Sequence, residues 1–349
     1  MLYARRDVRV DDITASDERP TTIPFETTLE LPDLQALSPG DVTALLEQHT
    51  TETGQRFEPD ALARITELSG GHPWLVNAIA NELTRKVKVD GPIGLGHVDD
   101  AEARLVRARA THLDALAHTL AKPRVQRVLA PIIAGEAPEV DAPFEADVAS
   151  VIDVGLVRTN PLRIANPIYA EVIARVLSDP VQSVVFVEPR RFVQPDGRFD
   201  LDALLRGFAA FWFEPGESLV ETMPYAEAGP QLMFIAFLQR VVNGGGVVTH
   251  DYGAGCRRID LLLTWPWTDA NGKRQVQREA IELKVWRDGR KDPLDEGLEQ
   301  LDGYLDRVGL AEGVLVLFDR RKTAAPLEQR VVESEARTRT GKRVRVWRG

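Results

Sequence analysis

Cysteine is almost absent from this chain: Cys256 is the only one in 349 residues. That excludes an internal disulfide framework and any Cys-rich zinc site. Long apolar runs are missing too, since no stretch approaches the roughly 20 apolar residues that span a bilayer. The opening MLYARRDVRV has no apolar h-region, so we expect no secretory signal, no membrane partner and a cytoplasmic location. Histidine is sparse, and His49, His112, His118 and His250 lack metal-ligand spacing with one another. His72 reads as a packing residue near a helix cap. Internal repeats and low-complexity tracts are also lacking. What remains is 44 % hydrophobic and 28 % charged, the balance of a globular chain long enough for two or three domains.

The net charge of −10 argues against a protein that coats nucleic acid by bulk electrostatics. The acidity is uneven. From Asp251 to Gly349 there are 20 basic residues against 17 acidic, whereas the other 250 residues hold 23 against 36. A nucleic-acid partner therefore remains open for the C-terminal part.

Three sections are legible. The first, to about Val89, reads as helical. Ser38, Pro39 and Asp41 form a capping-box-like start. FEPDALARITELSGG sets Leu62, Ile65 and Leu68 on one face and stops at Gly70-Gly71, and HPWLVNAIANELTRKV buries Leu75, Ile79 and Leu83. GPIGLGHV reads as a loop. The second section, Val98 to Leu177, reads as three helices, a short hairpin around Thr159-Asn160-Pro161, and a further helix, the order of a winged helix. A proline-broken linker follows. In the third section the helix PQLMFIAFLQRVV precedes strands VVTHDY, CRRIDLLLTW and VQREAIELKVW. The helix DEGLEQLDGYLDRVG, the strand GVLVLFD and a late strand RVRVW close the chain, giving αβββαβ with an extra strand. The expected architecture is thus multi-domain α plus α/β, with segments 1–97, 98–180, a linker at 181–199 and a final domain at 200–349.

The chemistry sits on the middle strands. In IELKVW, Glu282 and Lys284 share one strand face and Ile281, Leu283 and Val285 the other. A hairpin would bring Asp260 of the preceding strand beside Glu282. Two converging carboxylates repel unless a cation lies between them or one is protonated. Hard oxygen ligands suit Mg²⁺, which can activate water and stabilise charge on a phosphodiester. Lys284 would orient or polarise that water. Gln300 and Tyr304, four apart, share a helix face that can lean toward the strand ends. Read singly, each charged residue also fits a solvated sheet face. Cys256, beside two arginines, reads as a buried strand-start thiol, and the basic tail as a half-exposed edge strand.

The run RRID…IELK…GLEQLDGY resembles the PD-(D/E)XK nuclease superfamily, with its restriction-endonuclease-like αβββαβ core, over about Asp200 to Trp347. The resemblance implies Mg²⁺ or Mn²⁺ held by Asp260 and Glu282, with Lys284 catalytic and Gln300 matching a helix glutamine found in many members. Glu227 matches an accessory acidic position, and equally an ordinary first-turn helix residue. The implied activity is hydrolysis of DNA. The competing expectation is a non-catalytic DNA- or protein-interaction module on a degenerate nuclease fold.

ARRDVRV with PFETTLELPDL, SGGHPWLVNAIA and VIDVGLVR…LRIANPIYAEVI resemble the lid and winged helix of prokaryotic AAA+-like ATPases, with Gly71-His72-Pro73 matching a GxP motif. No GxxxxGK[ST] phosphate loop exists, so no ATP binding is expected from this chain alone. The resemblance implies a member lacking its ATPase core, through truncation or a late start codon. An apolar surface around Leu45 and Trp74 would then receive that core or a partner protein.

Overall fold

A computed structural model describes residues 36–107, 118–133, 142–159, 162–182, 184–223, 228–242, 245–251 and 260–349. The chain divides into two compact units, Met1–Ala108 and Arg109–Gly349.

In the first unit, α1 (Pro39–Thr53) starts on the expected capping box. The Ser38 hydroxyl accepts from the Asp41 backbone N–H at 3.2 Å while the Asp41 carboxylate accepts from the Ser38 N–H at 3.0 Å. That satisfies donors a helix start leaves open. Helix α2 (Pro59–Ser69) ends on Gly70 in the left-handed region and buries Ile65 and Leu68. Helix α3 (Pro73–Asn81) buries Leu75 and Ile79, and a π-helical turn through Lys86 buries Leu83. Leu45 is buried, whereas Trp74 is 36 % exposed. Helix α4 (Leu95–Arg107) packs on α2 and α3 within this unit, rather than with the section expected to open near Val98. GPIGLGHV is therefore loop only as far as Gly94, whose N–H donates to His97 Nδ1 at 3.1 Å and so starts the helix.

Among the described residues, the second unit holds α5 (Pro123–Ile133), α6 (Ala142–Asp153), a hairpin of β1 (Val157–Arg158) and β2 (Arg163–Ile164), and α7 (Pro167–Gln182). The order expected from the sequence is three helices, a hairpin and a further helix; it is met only when α4, which packs in the first unit, is counted as the first of the three. Segment 181–199, expected as a linker, is packed instead. Val181, Val185, Phe192 and Phe199 are buried, and Gln277 brackets Phe199 by accepting from its N–H and donating to its carbonyl. The prolines break helices here, but the apolar residues between them anchor the chain.

Helices α8 (Leu201–Phe211) and α9 (Glu217–Thr222), absent from the sequence reading, precede α10 (Gly229–Val242). A six-stranded mixed sheet follows: β3 (Val247–Asp251), β4 (Asp260–Thr268), β5 (Arg274–Trp286), β6 (Glu312–Asp319), β7 (Val332–Arg337) and β8 (Arg343–Arg348) in spatial order 3-4-5-6-8-7. Helix α11 (Leu294–Val308) links β5 to β6, which run parallel, and the short α12 (Leu327–Arg330) precedes β7. The basic strand β8 is interior, flanked by β6 and β7, and not the edge strand that its alternating pattern suggested. The edge is β7, whose VESEAR carries too little apolar pattern to be read as a strand, and whose charges suit an unpaired edge.

Both sheet faces are covered. On one, Ala280, Leu315, Leu317, Val344 and Val346 pack with Leu301, Tyr304 and Leu305 of α11. On the other, Trp347 and Phe318 meet Phe208 of α8 and Trp212, at ring separations of 4.9–6.0 Å. The result is a helix–sheet–helix layering around β5 and β6.

Candidate functional site

The pairing of β4 with β5 is antiparallel and sets Asp260 directly opposite Glu282. Directly opposed residues share a face of the pleat, so the backbone register expected from the strand parity is present. The same row continues to Asp251 on β3, opposite Asp260. On β5 the alternation carries Glu282 and Lys284 to the face that α11 covers, while Ile281 and Leu283 enter the opposite core.

Glu282 has no exposed surface, and Lys284 is 8 % exposed. Lys284 Nζ lies 3.2 Å from Glu282 Oε1. That approach lacks hydrogen-bond alignment, and neither Glu282 oxygen takes a hydrogen bond from the described residues. Instead Lys284 Nζ donates to Gln300 Oε1 and approaches Glu296 Oε1 at 3.5 Å, while Gln300 Nε2 donates to Glu296 Oε1 at 3.0 Å. Lys284, Gln300 and Glu296 therefore close a ring between the strand and the first two turns of α11.

Gly297 makes this closeness possible. A Cβ there would meet Leu315 Cδ1 at 2.7 Å, so a larger residue would have to displace that side chain or lift the helix from β6. Glu296 was not singled out from the sequence. Its signal was available, since Glu296, Gln300 and Tyr304 recur every four residues on one helix face. Tyr304 is buried in the α11 core, below the polar ring.

The side chain of Asp260, together with Glu227, Cys256 and the Gly253–Gly255 turn, lies outside the described residues. Among the described residues no group of three or more His, Cys, Asp or Glu side chains is gathered to hold a metal ion. Charge nevertheless needs compensation here. A carboxylate removed from water costs several kcal/mol unless a cation, a proton or aligned donors answer it.

Compared with protein-family models, with curated proteins and with solved structures, the chain matches none. What the structure defines is a mixed α/β protein with a buried Glu–Lys pair at the crossing of a six-stranded sheet and one helix. No helix among the described residues is long and apolar enough to cross a membrane.

Proposed function

We propose that this chain hydrolyses DNA phosphodiesters with a divalent metal, in the manner of PD-(D/E)XK nucleases. The observation that carries the reading is Glu282: fully buried, unanswered by aligned donors among the described residues, opposite Asp260, and beside Lys284. The order helix, three antiparallel strands, helix, parallel strand supports the same reading.

Hard carboxylate oxygens suit Mg²⁺ or Mn²⁺, and Asp260 and Glu282 are the residues that would hold it, with the Lys284 ammonium close beside Glu282. When bound, such an ion supplies Lewis acidity and a water of lowered pKa. Lys284, fixed by Gln300 and Glu296, holds a positive charge beside Glu282, where it could answer charge developing on the phosphodiester. Gln300 and Glu296 keep that ammonium from wandering, and the flanking core of Leu301 and Leu315 excludes bulk water. The hairpin at Val157–Ile164 would serve as the wing of a DNA-contacting winged helix. Glu227 is given no part in this geometry. With no phosphate loop in the sequence, the reading needs no ATP.

One observation favours a second reading. Lys284 already places a cation 3.2 Å from Glu282, so the pair can neutralise itself in an interaction module that does not cut. Nicking of supercoiled plasmid separates the two. On the nuclease reading, cutting occurs with Mg²⁺ or Mn²⁺, stops in chelator and is lost in Glu282→Gln. Lys284→Ala should lower the rate by about 10²–10³. A wild-type protein that cuts with neither metal favours the interaction module.

A further inference from the structure

The face of β5 that carries Glu282 and Lys284 does not end with them. Trp286 is the next residue on that face, about 7 Å beyond Lys284 at the usual strand rise. Register places Asp319 beside Trp286, and Arg348 in the row of Lys284 and Leu317. The loop between β5 and α11 folds back here, because Trp286 Nε1 donates to the Arg290 carbonyl at 3.0 Å. The chain after β6 is tied to the same point by the Arg320 N–H, which donates to the Trp286 carbonyl at 2.8 Å.

This end of the sheet is basic in a chain that is otherwise acidic. Segments 286–292 and 319–322 with Arg348 hold seven basic residues and three acidic ones. Some of that charge is spent internally. The Arg321 guanidinium lies 3.3 Å from the Trp286 ring centroid and donates to both oxygens of Asp319, at 2.8 and 2.6 Å. Arg348 donates to both oxygens of Asp292, at 3.0 and 2.7 Å. Asp288 accepts from the Lys322 backbone N–H at 3.1 Å. These contacts brace the loops. Arg290, Lys291 and Lys322 are left exposed, with no ion pair among the described residues. Three exposed cations thus lie on two loops tied to Trp286, the residue that follows Lys284 on the same face of β5, and form a positive rim at this end of the sheet.

We propose that this rim binds the sugar–phosphate backbone of DNA alongside the Glu282–Lys284 site, through Arg290, Lys291 and Lys322. The inference rests on the nuclease reading for the choice of polyanion, but binding can be measured without cleavage. A polyphosphate backbone suits ammonium and guanidinium groups on such loops, and each such contact adds to the salt dependence of binding.

The test is fluorescence anisotropy with a labelled 30-base-pair DNA duplex and the matching single strand, in chelator, over 50–200 mM salt. The triple variant R290E/K291E/K322E should weaken binding at least about tenfold and reduce the slope of log K against log salt by about 3. The milder R290Q/K291Q/K322Q should fall between it and wild type, and thermal melts of both variants should match wild type. Preference for duplex or single strand identifies the form of the backbone recognised. Wild-type protein that binds neither DNA, or a triple variant with unchanged affinity and salt slope, overturns the proposal. Binding through the rim without any metal-dependent cutting would instead remove the nuclease reading and leave the rim in place. Cutting by a protein whose triple variant binds normally would do the reverse.

Discussion

Lys284 and Glu282 stand two residues apart on one strand, both buried, with Nζ 3.2 Å from Oε1 and yet no aligned hydrogen bond between them. Such a pair contributes little net stability, because desolvating both charges offsets their attraction. Removing one partner is another matter, since it strands the other charge.

Lys284→Ala should accordingly destabilise the metal-free protein by about 3–5 kcal/mol. Glu282→Gln should cost less, because the ring of Gln300 and Glu296 still receives the ammonium. The double variant E282Q/K284M, with no buried charge left, should recover most of the loss. Denaturant unfolding of the three variants checks this. Equal destabilisation by K284A and by the double variant would mean that stranded charge is not the cause.

A second prediction concerns Asp302 on α11. Its carboxylate accepts from Lys342 Nζ at 2.7 Å and from the hydroxyls of Thr338 and Thr340, fastening α11 to the β7–β8 turn. Lys342 first, then the two threonines, hold its pKa well below the ordinary 3.8. A carboxyl depressed on folding stabilises fully above its unfolded pKa, and that stability is lost as pH falls below about 3.8 toward the folded value. Melts of wild type and Asp302→Asn between pH 6 and 2 should therefore differ most at the upper end, and the gap should narrow steadily below about pH 3.8. A gap that stays constant with pH would contradict the assignment.

The boundary at 181–199 is testable as well. Ser178 and Gln182 of α7 both donate to Gln239 Oε1 of α10, at 3.0 and 2.7 Å, and α10 is buried along nearly its whole length. A fragment of residues 109–349 should fold. One of residues 200–349 would expose the face of α10 that α7 covers, and should aggregate or melt at lower temperature. Comparable melting of the two would restore the linker drawn from the sequence.

Which features were legible follows from how each element is specified. Local chemistry settled α1, with its Ser38–Asp41 box, and the Asn271-Gly272 turn, where Gly272 has φ 76°. Strand parity was enough to set Asp260 opposite Glu282, because a side-chain period of two leaves no freedom once the pairing is made. Pairing order was not legible. RVRVW alternates like a half-exposed strand, and nothing local reveals that β7 would pair outside it. Glu296 escaped for a related reason: its contact with Lys284 depends on how closely Gly297 lets the helix approach β6, which is a packing property. Segment 181–199 was read from its prolines, although Phe192 and Phe199 outweigh them by burying.

The aromatic face of the sheet offers a control remote from the site. Trp347 is fully buried, with Phe208 and Phe318 at 5.3 and 5.6 Å between ring centroids. Trp347→Ala should cost about 3–5 kcal/mol by chemical denaturation. The exposed Val276→Thr should stay within about 0.5 kcal/mol. Similar small effects at both positions would show that the β8 core is packed differently.

Calorimetric titration of Mn²⁺ reads directly whether the buried Glu282 carboxylate holds the proposed divalent cation. Wild-type protein should show a binding site that is lost in Glu282→Gln and retained, or slightly tightened, in Lys284→Ala, where a nearby positive charge is gone. Wild-type protein that takes up no Mn²⁺, or a Glu282→Gln variant that binds it as wild type does, would contradict the proposal.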